Sequence, residues 1–331
     1  MILVTGGAGY IGSHCVLSLL KKGAEVIVFD NLSTGHIETI ETLKKQGNFI
    51  FIKGDLLNKE DVSKLFDYKI DEVIHFAAFS QVGESVSNPE KYYTNNVCGT
   101  LNLLNEMVKN KVNKIVFSST AATYGEPQYT PIDEKHPQTP INPYGKTKLI
   151  IENILDDYDK AYGLKSVRLR YFNVAGADSD LLIGEWHNPE THLIPNIFKS
   201  VLSSNKTFEL YGQDYDTKDG TCVRDYINIE DLINAHLLSL EYLNSDGDTT
   251  YFNLGTKEGF TVKEVFSACE KICNKKIPIE YKPKRVGDPA QLVADNSKAK
   301  RILGWTPTKS LDESLKTDYH CEIKLHNFEA K

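Results

Sequence analysis

Three side chains in this sequence could act together on a hydroxyl group: Thr120, Tyr144 and Lys148. Tyr144 and Lys148 are four residues apart, and such residues lie on one face of a helix, one turn apart. An ammonium about 4 Å from a phenol stabilises the phenolate by on the order of 4 kcal/mol at an effective dielectric near 20, or roughly three pKa units. We therefore predict that Lys148 lowers the pKa of Tyr144 toward neutral pH. Tyr144 would then act as a general base while Thr120 hydrogen-bonds the reacting oxygen.

The position of this pair in the chain separates it from a chance match. Tyr281 and Arg285 have the same spacing, but Tyr144 follows an apolar run that ends in Ser118-Ser119-Thr120. Open α/β sheets bind ligands at the carboxyl ends of their strands, so this edge is where a reaction would take place. The alternative is an ordinary tyrosine–lysine pair on a core helix.

A glycine-rich turn, Thr5-Gly-Gly-Ala-Gly-Tyr-Ile-Gly12, lies between an apolar run and an amphipathic segment. A pyrophosphate needs a tight turn, close approach to backbone N–H groups and the positive end of a helix dipole, and Gly6, Gly9 and Gly12 permit all three. Asp30 ends the next apolar run, where a carboxylate accepts hydrogen bonds from an adenosine ribose and repels a 2′-phosphate. The pattern predicts a site for NAD. The alternatives are a turn without a ligand and, for Asp30, a helix N-cap or turn carboxylate.

Short apolar, β-branched runs alternate with helical segments in the first half of the chain. They are Ile2 to Thr5, Glu25 to Phe29, Phe49 to Lys53, Glu72 to Phe76, Lys114 to Ser118 and Ser166 to Tyr171. This alternation is typical of a doubly wound parallel sheet whose strands are buried on both faces. We predict an α/β protein with a Rossmann-type sheet in residues 1–172 and a smaller mixed α/β substrate-binding region in residues 173–331. A strand near 251–254 is expected to return to the first region.

Composition excludes several classes of partner. A net charge of -7 is spread over 331 residues, so the basic footprint of a nucleic-acid or membrane-surface protein is missing. The apolar runs are too short to span a membrane, and Met1 leads straight into a strand without a signal-peptide pattern. Six cysteines without a Cys-x-x-Cys pair fit a reducing compartment. We expect a cytoplasmic protein.

Metal binding is not expected from the sequence. Cys269 and Cys273 could share a helix face, but two thiols do not complete a zinc site. His187, Glu190 and His192 are unevenly spaced in a loop, and we predict that they are solvated side chains.

Taken together, the motifs resemble those of the UDP-glucose 4-epimerases (UDP-galactose 4-epimerases), a family of the extended short-chain dehydrogenase/reductase superfamily. The resemblance covers essentially the whole chain and rests on the glycine turn, Asp30-Asn31-Leu32, Gly54-Asp55, His75-Phe-Ala-Ala78, Val82-Gly-Glu-Ser85, Asn95-Asn96-Val97, Ser118 to Gly125, Tyr144 to Lys148, Arg170-Tyr-Phe-Asn173 and Asp219 to Tyr226. It implies NAD-dependent interconversion of UDP-glucose and UDP-galactose, in galactose metabolism. Hydride would leave sugar C4, the 4-keto sugar would rotate, and the hydride would return to its other face.

The resemblance also implies the residues that contact each ligand. Those for NAD would be Gly6, Gly9, Tyr10, Ile11, Gly12, Asp30, Asn31, Ser33, Thr34, Gly35, Asp55, Leu56, Phe76, Ala77, Ala78, Ser80, Asn95, Ser118, Tyr144, Lys148 and Phe172. Those for the UDP-sugar would be Thr120, Tyr144, Asn173, His192, Leu193, Tyr211, Arg224, Arg285 and Asp288. Guanidinium groups suit a diphosphate because their forked N–H donors match phosphate oxygens. An ordinary ion pair with Asp225 remains the alternative for Arg224, and an ordinary ion pair likewise remains the alternative for Arg285, which lies in a basic stretch.

Departures from the family pattern qualify the resemblance. Thr120 replaces a serine of many members and keeps the hydroxyl, whereas Ser80 and His192 stand where some members have lysine and asparagine. Leu292 lies where members vary residue size to admit or exclude an N-acetyl group, and leucine is intermediate.

Related enzymes and a different class of protein remain as alternatives. Nucleotide-sugar dehydratases and decarboxylases carry acidic residues just after the catalytic Thr or Ser, but here those positions are Ala121 and Ala122. A 4-epimerase of UDP-N-acetylglucosamine or another UDP-sugar is harder to exclude. A non-catalytic NAD-binding regulator is expected to lose the triad of Thr120, Tyr144 and Lys148, which is intact. Residues 89–110 and the helix after Tyr144 could form the two-fold contact of a homodimer.

Overall fold

The computed structural model describes residues 1–203, 207–285 and 288–329. Its strands are β1 Ile2–Thr5, β2 Val26–Asp30, β3 Ile50–Lys53, β4 Glu72–His75, β5 Lys114–Thr120, β6 Lys165–Tyr171, β7 Asn173–Ala175, β8 Phe208–Tyr211, β9 Val223–Asn228, β10 Thr250–Leu254, β11 Gly259–Thr261, β12 Ile279–Lys282 and β13 Gln291–Leu292. Its α-helices are α1 Tyr10–Lys21, α2 Ile37–Lys44, α3 Lys59–Leu65, α4 Val82–Ser87, α5 Pro89–Tyr92, α6 Gly99–Lys109, α7 Pro143–Tyr162, α8 Leu193–Leu202, α9 Ile229–Asn244, α10 Val262–Cys273, α11 Ser297–Leu303 and α12 Leu311–Glu329. A π-helical segment, Tyr93–Cys98, joins α5 to α6, and a 3₁₀ turn, Ala121–Thr123, follows β5.

Seven of these described strands form one parallel sheet in the order β10-β6-β5-β4-β1-β2-β3. The chain reverses its direction of travel across the sheet between β1 and β4, which is the switch point where doubly wound sheets bind ligands. The predicted Rossmann-type fold is confirmed. The six predicted strands of the first half differ from the observed ones by at most two residues at either end.

Both faces of the sheet are buried. Along β1, Leu3 packs into the core on one face and Val4 into the core on the other. Successive strand residues point to opposite faces, so a strand covered on both sides must be apolar throughout. Helices α1 and α9 cover the face of Val4, and α3, α6 and α7 cover the face of Leu3. These helices hold the strand ends, and therefore the loops that follow them, in fixed positions.

The chain after β6 builds smaller sheets and then returns to the large one. Strand β9 pairs with β7, β11 and β13, while β8 pairs with β12. A separate apolar core lies between α8, α10 and α12. Strand β10 then pairs along its whole length with β6, from Thr250 opposite Val167 to Leu254 opposite Tyr171. The last strand of the large sheet is thus supplied from the second half of the chain.

Among the helices in the described part of the chain, we find none whose length and apolar character would let it cross a bilayer.

Candidate active site

Helix α7 and strand β5 bring the three chemically suited side chains together. Asn142 caps α7 by accepting a hydrogen bond from Gly145 N at 2.8 Å, and Pro143 occupies its first turn. This start places Tyr144 and Lys148 on the face toward the carboxyl end of β5, where Thr120 is the last residue. Thr120, Tyr144 and Lys148 are 9%, 8% and 3% exposed, and Lys148 Nζ donates to the Ser118 carbonyl at 2.8 Å. The predicted trio therefore lies in one buried place.

Burial, and not mutual attraction, dominates the acidity of the pair. Burial raises the pKa of Tyr144 to about 12, and the nearby Thr120 hydroxyl lowers it only in part. Burial also lowers the pKa of Lys148 to about 7, although the carboxylate of Glu152 acts in the opposite direction. The prediction that Lys148 lowers the pKa of Tyr144 toward neutrality is thus wrong for the chain alone. The Lys148 Nζ lies 6.0 Å from the centre of the Tyr144 ring. Burial removes water from both the ammonium and the phenol, which disfavours the charged form of each.

Three glycines of the first turn serve different purposes. Gly6 has φ +73°, and a Cβ there would lie 2.6 Å from Ala77 N, while a Cβ on Gly12 would lie 2.1 Å from the Gly6 carbonyl oxygen. These two positions therefore need glycine for the turn itself. Gly9 has an ordinary φ of -81°, and its Cβ would meet only the Gly6 oxygen, at 3.5 Å. Because Gly9 borders the cavity described next, its missing side chain leaves room for a ligand at the N-terminus of α1.

A cavity of about 570 Å³ runs along this turn and past the end of β5. Among the described residues, every one predicted to contact NAD borders it except Gly35, which packs against Ala8 behind the turn. Asp30 borders it and also accepts hydrogen bonds from Ala8 N and Leu32 N at 2.9 and 2.8 Å. Asp30 thus fixes the turn, as its alternative interpretation required, and still faces the cavity. Bare backbone, a helix N-terminus and this carboxylate together fit a dinucleotide.

The residues predicted for the UDP-sugar divide into two groups. Asn173, His192 and Leu193 border the cavity with Thr120 and Tyr144. The others, Tyr211, Arg224, Arg285 and Asp288, are not among the described residues that border it and form a second polar group, in which the Asp288 N–H donates to the Arg285 carbonyl at 3.4 Å. In that group Arg224 lies 3.8 Å from Asp288, and the Arg285 guanidinium stacks 4.0 Å from the Tyr211 ring centre.

Arg224 is not paired with Asp225, which was the alternative interpretation of this residue. The Asp225 carboxylate accepts hydrogen bonds from Thr256, Lys257 and Ala294, while Arg224 donates to the Val223 and Pro289 carbonyls. Arg224 lies two residues before Tyr226 on β9, and Tyr226 borders the cavity.

Sequence reasoning missed several polar residues of the cavity wall. Glu84 accepts hydrogen bonds from Lys91 Nζ at 2.7 Å and from the Tyr92 hydroxyl at 2.9 Å, and all three border the cavity. The hydrogen bonds from Lys91 and Tyr92 lower the pKa of Glu84. Glu84 belongs to a motif of the family resemblance, which was the available signal, but nothing in its spacing assigned it a role.

Behind β5 lies a buried ion pair that was also missed. Arg170 donates to Glu152 through Nε at 2.9 Å, and the two side chains are 3% and 2% exposed. Glu152 also accepts a hydrogen bond from the Ser119 hydroxyl, the residue before Thr120. The pair therefore fixes the strand end that carries Thr120.

The loop before α8 departs most from expectation. It gathers four side chains, called the loop cluster below: Glu185, His187, Glu190 and His192. Their nearest ligand-type atoms all lie within 4.8 Å of one another. The prediction of solvated side chains is wrong for Glu190 and His187, whose side chains are 4% and 23% exposed. Glu185, which no pattern singled out, is 6% exposed and completes the group.

Opposite charges in the loop cluster act on one another. Burial disfavours its charged forms, yet the carboxylates raise the pKa of His187 to about 9 and that of His192 to about 10. The imidazoles correspondingly lower the pKa of Glu190 against the effect of burial. Carboxylates and imidazoles are thus held close enough to act as one unit.

Leu292 lies beside the 3₁₀ turn that follows β5. It is opposite Arg224 in the pairing of β13 with β9 and packs against a small apolar cluster with Ala121, Tyr124 and Ile132. Ala121 and Ala122 follow Thr120 in the 3₁₀ turn and offer no acid at the positions where a dehydratase would carry one.

Comparison with known proteins gives the same family as the motifs. A family model described as GDP-mannose 4,6 dehydratase matches residues 3–317. A curated UDP-glucose 4-epimerase from Halalkalibacterium halodurans is 52% identical over 307 residues, which cover 92% of this chain and 90% of that protein. The chain belongs to the UDP-glucose 4-epimerase family. This family forms part of the extended short-chain dehydrogenase/reductase superfamily, to which the broader family model also corresponds.

Solved structures of family members have the same fold. The UDP-glucose 4-epimerase of Brucella ovis in complex with NAD is 44% identical with a TM-score of 0.92, and the match covers 96% of this chain and 97% of that one. The enzyme of Bifidobacterium longum in complex with NAD+ and UDP is 39% identical with a TM-score of 0.93, and the match covers 98% of both chains. This member therefore shares its fold with relatives that bind a dinucleotide and a uridine nucleotide.

Proposed function

We propose that this protein is an NAD-dependent UDP-glucose 4-epimerase that interconverts UDP-glucose and UDP-galactose in galactose metabolism. The observation that carries the proposal is the convergence of Thr120, Tyr144 and Lys148 on the same cavity as the glycine turn. Supporting it, relatives with this name are about half identical to the chain over nearly its whole length.

NAD would lie along the N-terminus of α1, with its adenosine ribose at Asp30 and its nicotinamide near Ser118 and Lys148. When bound, NAD would accept a hydride from sugar C4 and return it to the other face. Tyr144 would take the proton of the sugar 4-hydroxyl while Thr120 hydrogen-bonds the same oxygen. Asp30 is a good ribose partner because each carboxylate oxygen accepts one backbone hydrogen bond and has lone pairs left.

Lys148 would assist by donating a hydrogen bond to the cofactor ribose. Its Nζ already donates to the Ser118 carbonyl and keeps further donors available. For Tyr144, the buried phenol needs nearby positive charge before it can ionise near neutral pH. We infer that the oxidised, positively charged nicotinamide supplies part of that charge.

The UDP part would extend from the cavity toward the polar group of Arg224 and Arg285. Asn173 and Leu193 border the route on the cavity side. Arg224 would bind the diphosphate oxygens, and these contacts would replace its 3.8 Å contact with Asp288. Residues 1–172 would thus hold mainly the cofactor and residues 173–331 mainly the UDP-sugar.

Direct conversion tests the proposal. Purified protein incubated with UDP-galactose should form UDP-glucose without net consumption of NAD, because the hydride is returned to the sugar. Tyr144→Phe should lower turnover by about 10²–10⁴-fold while leaving NAD bound. Tyr162→Phe on the same helix is the matched control, since Tyr162 is 60% exposed, and it should be fully active. No conversion by NAD-loaded wild-type protein would contradict the proposal, as would a fully active Tyr144→Phe variant.

A second candidate substrate is UDP-N-acetylglucosamine. Leu292 favours testing it, because its side chain closes the space next to Ala121 without the bulk of an aromatic residue. Parallel assays with UDP-glucose and UDP-N-acetylglucosamine separate the two, and a Leu292→Tyr variant that loses only the acetylated substrate would place the N-acetyl group there.

We further propose a cytoplasmic homodimer. All six cysteines are free thiols, as a reducing compartment allows. Val86 on α4 and Ile150 on α7 are 64% and 36% exposed, and these helices pack side by side, which suits a two-fold helical interface. Sedimentation of wild-type and Ile150→Asp protein would test this interface.

A further inference from the structure

We propose that the loop cluster binds one divalent transition-metal ion, with Zn²⁺ the best fit, and that this ion fastens residues 185–192 to the wall of the cofactor cavity. The inference goes beyond the epimerase activity and does not depend on it.

The donor atoms of the loop cluster lie close enough together to bind one ion. His187 Nδ1 lies 3.1 Å from Glu185 Oε1 and 3.6 Å from Glu190 Oε2. His192 Nδ1 lies 2.8 Å from Glu185 Oε1 and 2.9 Å from Glu190 Oε1. Zinc–ligand bonds of about 2.0–2.1 Å in a tetrahedron place neighbouring ligand atoms about 3.3 Å apart. Three of the four separations lie below that value and one lies above it, and the ligand atoms of the cluster all lie within 4.8 Å of one another, so small side-chain movements would bring them onto one ion.

Two atoms of the cluster lack the hydrogen bonds that their burial calls for. Glu190 Oε2 and His187 Nδ1 are buried, and although Nδ1 lies 3.1 Å from Glu185 Oε1 and 3.6 Å from Glu190 Oε2, neither contact has the geometry of a hydrogen bond. The Glu190 side chain is 96% buried, since only 4% of it is exposed. Buried polar atoms normally have partners, because an unsatisfied one is costly. An ion at the centre of the cluster would satisfy both atoms.

The surroundings of the cluster are acidic. Asp318 on α12 is 3% exposed, and burial followed by the charges of Glu185, Glu322 and Glu190 raises its pKa well above the usual range. The ion pairs of the cluster carboxylates within the described residues are to the two imidazoles and not to lysine or arginine. A dipositive ion would therefore not have to displace a lysine or an arginine from the cluster carboxylates.

The donor set favours Zn²⁺ over the common alkaline-earth ions. Two imidazole nitrogens and two carboxylates suit zinc and neighbouring transition metals. Ca²⁺ and Mg²⁺ prefer six or more oxygen ligands. The competing arrangement is a metal-free group of two imidazolium and two carboxylate ions, and the experiment below separates the two.

Fastening this loop would shape the cofactor cavity. Glu185, His187 and His192 border the cavity, and the His187 ring centre lies 6.3 Å from that of Tyr10, directly after Gly9. The loop then leads into α8 at Leu193. A bound ion would link the approach to α8 with the wall that faces the phosphate-binding turn.

Metal titration of the whole protein tests the proposal without substrate. Protein stripped with a chelator is titrated with Zn²⁺ by calorimetry and with Co²⁺ by visible absorption. We expect one ion per chain and the intense visible bands of tetrahedral Co²⁺. His187→Asn/Glu190→Gln should bind at least about 100-fold more weakly, because it removes two ligands. The matched control Glu258→Gln/His320→Asn removes one exposed carboxylate and one exposed imidazole elsewhere and should bind like the wild type.

Each result decides the proposal. Absence of stoichiometric Zn²⁺ or Co²⁺ binding by the wild type, or a weak octahedral Co²⁺ spectrum, would overturn it in favour of the ion-pair group. Unchanged binding by the double variant would place the ion elsewhere and also overturn it. Should the double variant not fold, zinc-edge anomalous diffraction from wild-type crystals decides, since a peak must lie between the four side chains. Epimerase activity enters none of these measurements, so failure of the metal site and failure of the proposed function are distinguishable.

Discussion

Replacing Glu152 by alanine is expected to destabilise the protein severely. The change leaves the Arg170 guanidinium without its carboxylate partner, and the Arg170 side chain is only 3% exposed. It also removes the acceptor of the Ser119 hydroxyl. Breaking one side of a buried ion pair costs about 3–5 kcal/mol, because an uncompensated charge stays in the interior. At about 2.1 cal/mol/K of unfolding entropy per residue, a chain of 331 residues loses about 1.4 °C of Tm per kcal/mol, so the expected fall in Tm is about 4–7 °C.

Thermal unfolding followed by circular dichroism measures this effect. Glu41→Ala is the matched control, because Glu41 pairs with Lys44 at 2.8 Å but the two side chains are 56% and 48% exposed. Such an exposed pair contributes only about 0–1 kcal/mol, so the control should lower Tm by about 1.5 °C at most. Tm shifts are compared instead of free energies, since a chain with two regions need not unfold in a single step.

A second variant separates the lost pair from the lost volume. Glu152→Leu combined with Arg170→Met removes both charges and keeps apolar bulk, and should recover at least half of the lost Tm. If Glu152→Ala lowered Tm no more than Glu41→Ala, or if the double replacement were as harmful as the single one, the reasoning about a buried charge would be refuted.

Three further outcomes are expected. Burial lowers the pKa of Lys148 in the folded protein to about 7 from 10.5. Between these two pH values the unfolded chain binds one more proton than the folded one, so the free energy of unfolding should rise with pH. Tm measured against pH should show this rise in the wild type and should not show it in Lys148→Met. Gly12→Ala should fail to form the turn, because its Cβ would lie 2.1 Å from a carbonyl oxygen. Gly9→Ala should fold with near-normal Tm but lose bound NAD. If the two variants had the same Tm and the same NAD absorbance, the different roles given to these glycines would be contradicted. Arg224→Gln should raise KM for UDP-sugars more than it lowers kcat, and initial-rate kinetics with unchanged KM would remove it from the phosphate site.

Regular patterns made the fold predictable. Strands β1, β2, β4 and β5 are buried over nearly their whole length and read largely as apolar runs, and Gly6, Gly9 and Gly12 mark the first turn. The proximity of Tyr144 and Lys148 followed from helical spacing alone. Their acidity did not, because burial depends on how α7 packs against β5, and this packing has no signature within four residues of sequence.

Irregular segments and long-range pairings were not predictable in this way. The loop cluster lies in a loop that has no periodic pattern of residues, and the backbone path of this loop places Glu185 next to the other three side chains. Arg224 approaches Asp288 because β13 pairs with β9, a contact between segments more than sixty residues apart. Glu152 and Arg170 likewise meet across a helix and a strand, where sequence shows two charged residues but not their burial.

The position of β10 at the end of the sheet has a consequence for synthesis. Until Leu254 has left the ribosome, β6 ends the growing sheet with unpaired backbone groups, which is a template for pairing with other chains. At about 5–20 residues per second, the roughly 80 residues between β6 and the end of β10 take about 4–16 s to make. The nascent chain therefore passes through a period of several seconds in which the sheet is incomplete. Ribosome-bound chains ending near residue 230, in which β6 has left the ribosome and β10 has not been made, should be markedly more sensitive to protease and more prone to bind chaperones than chains ending near residue 300.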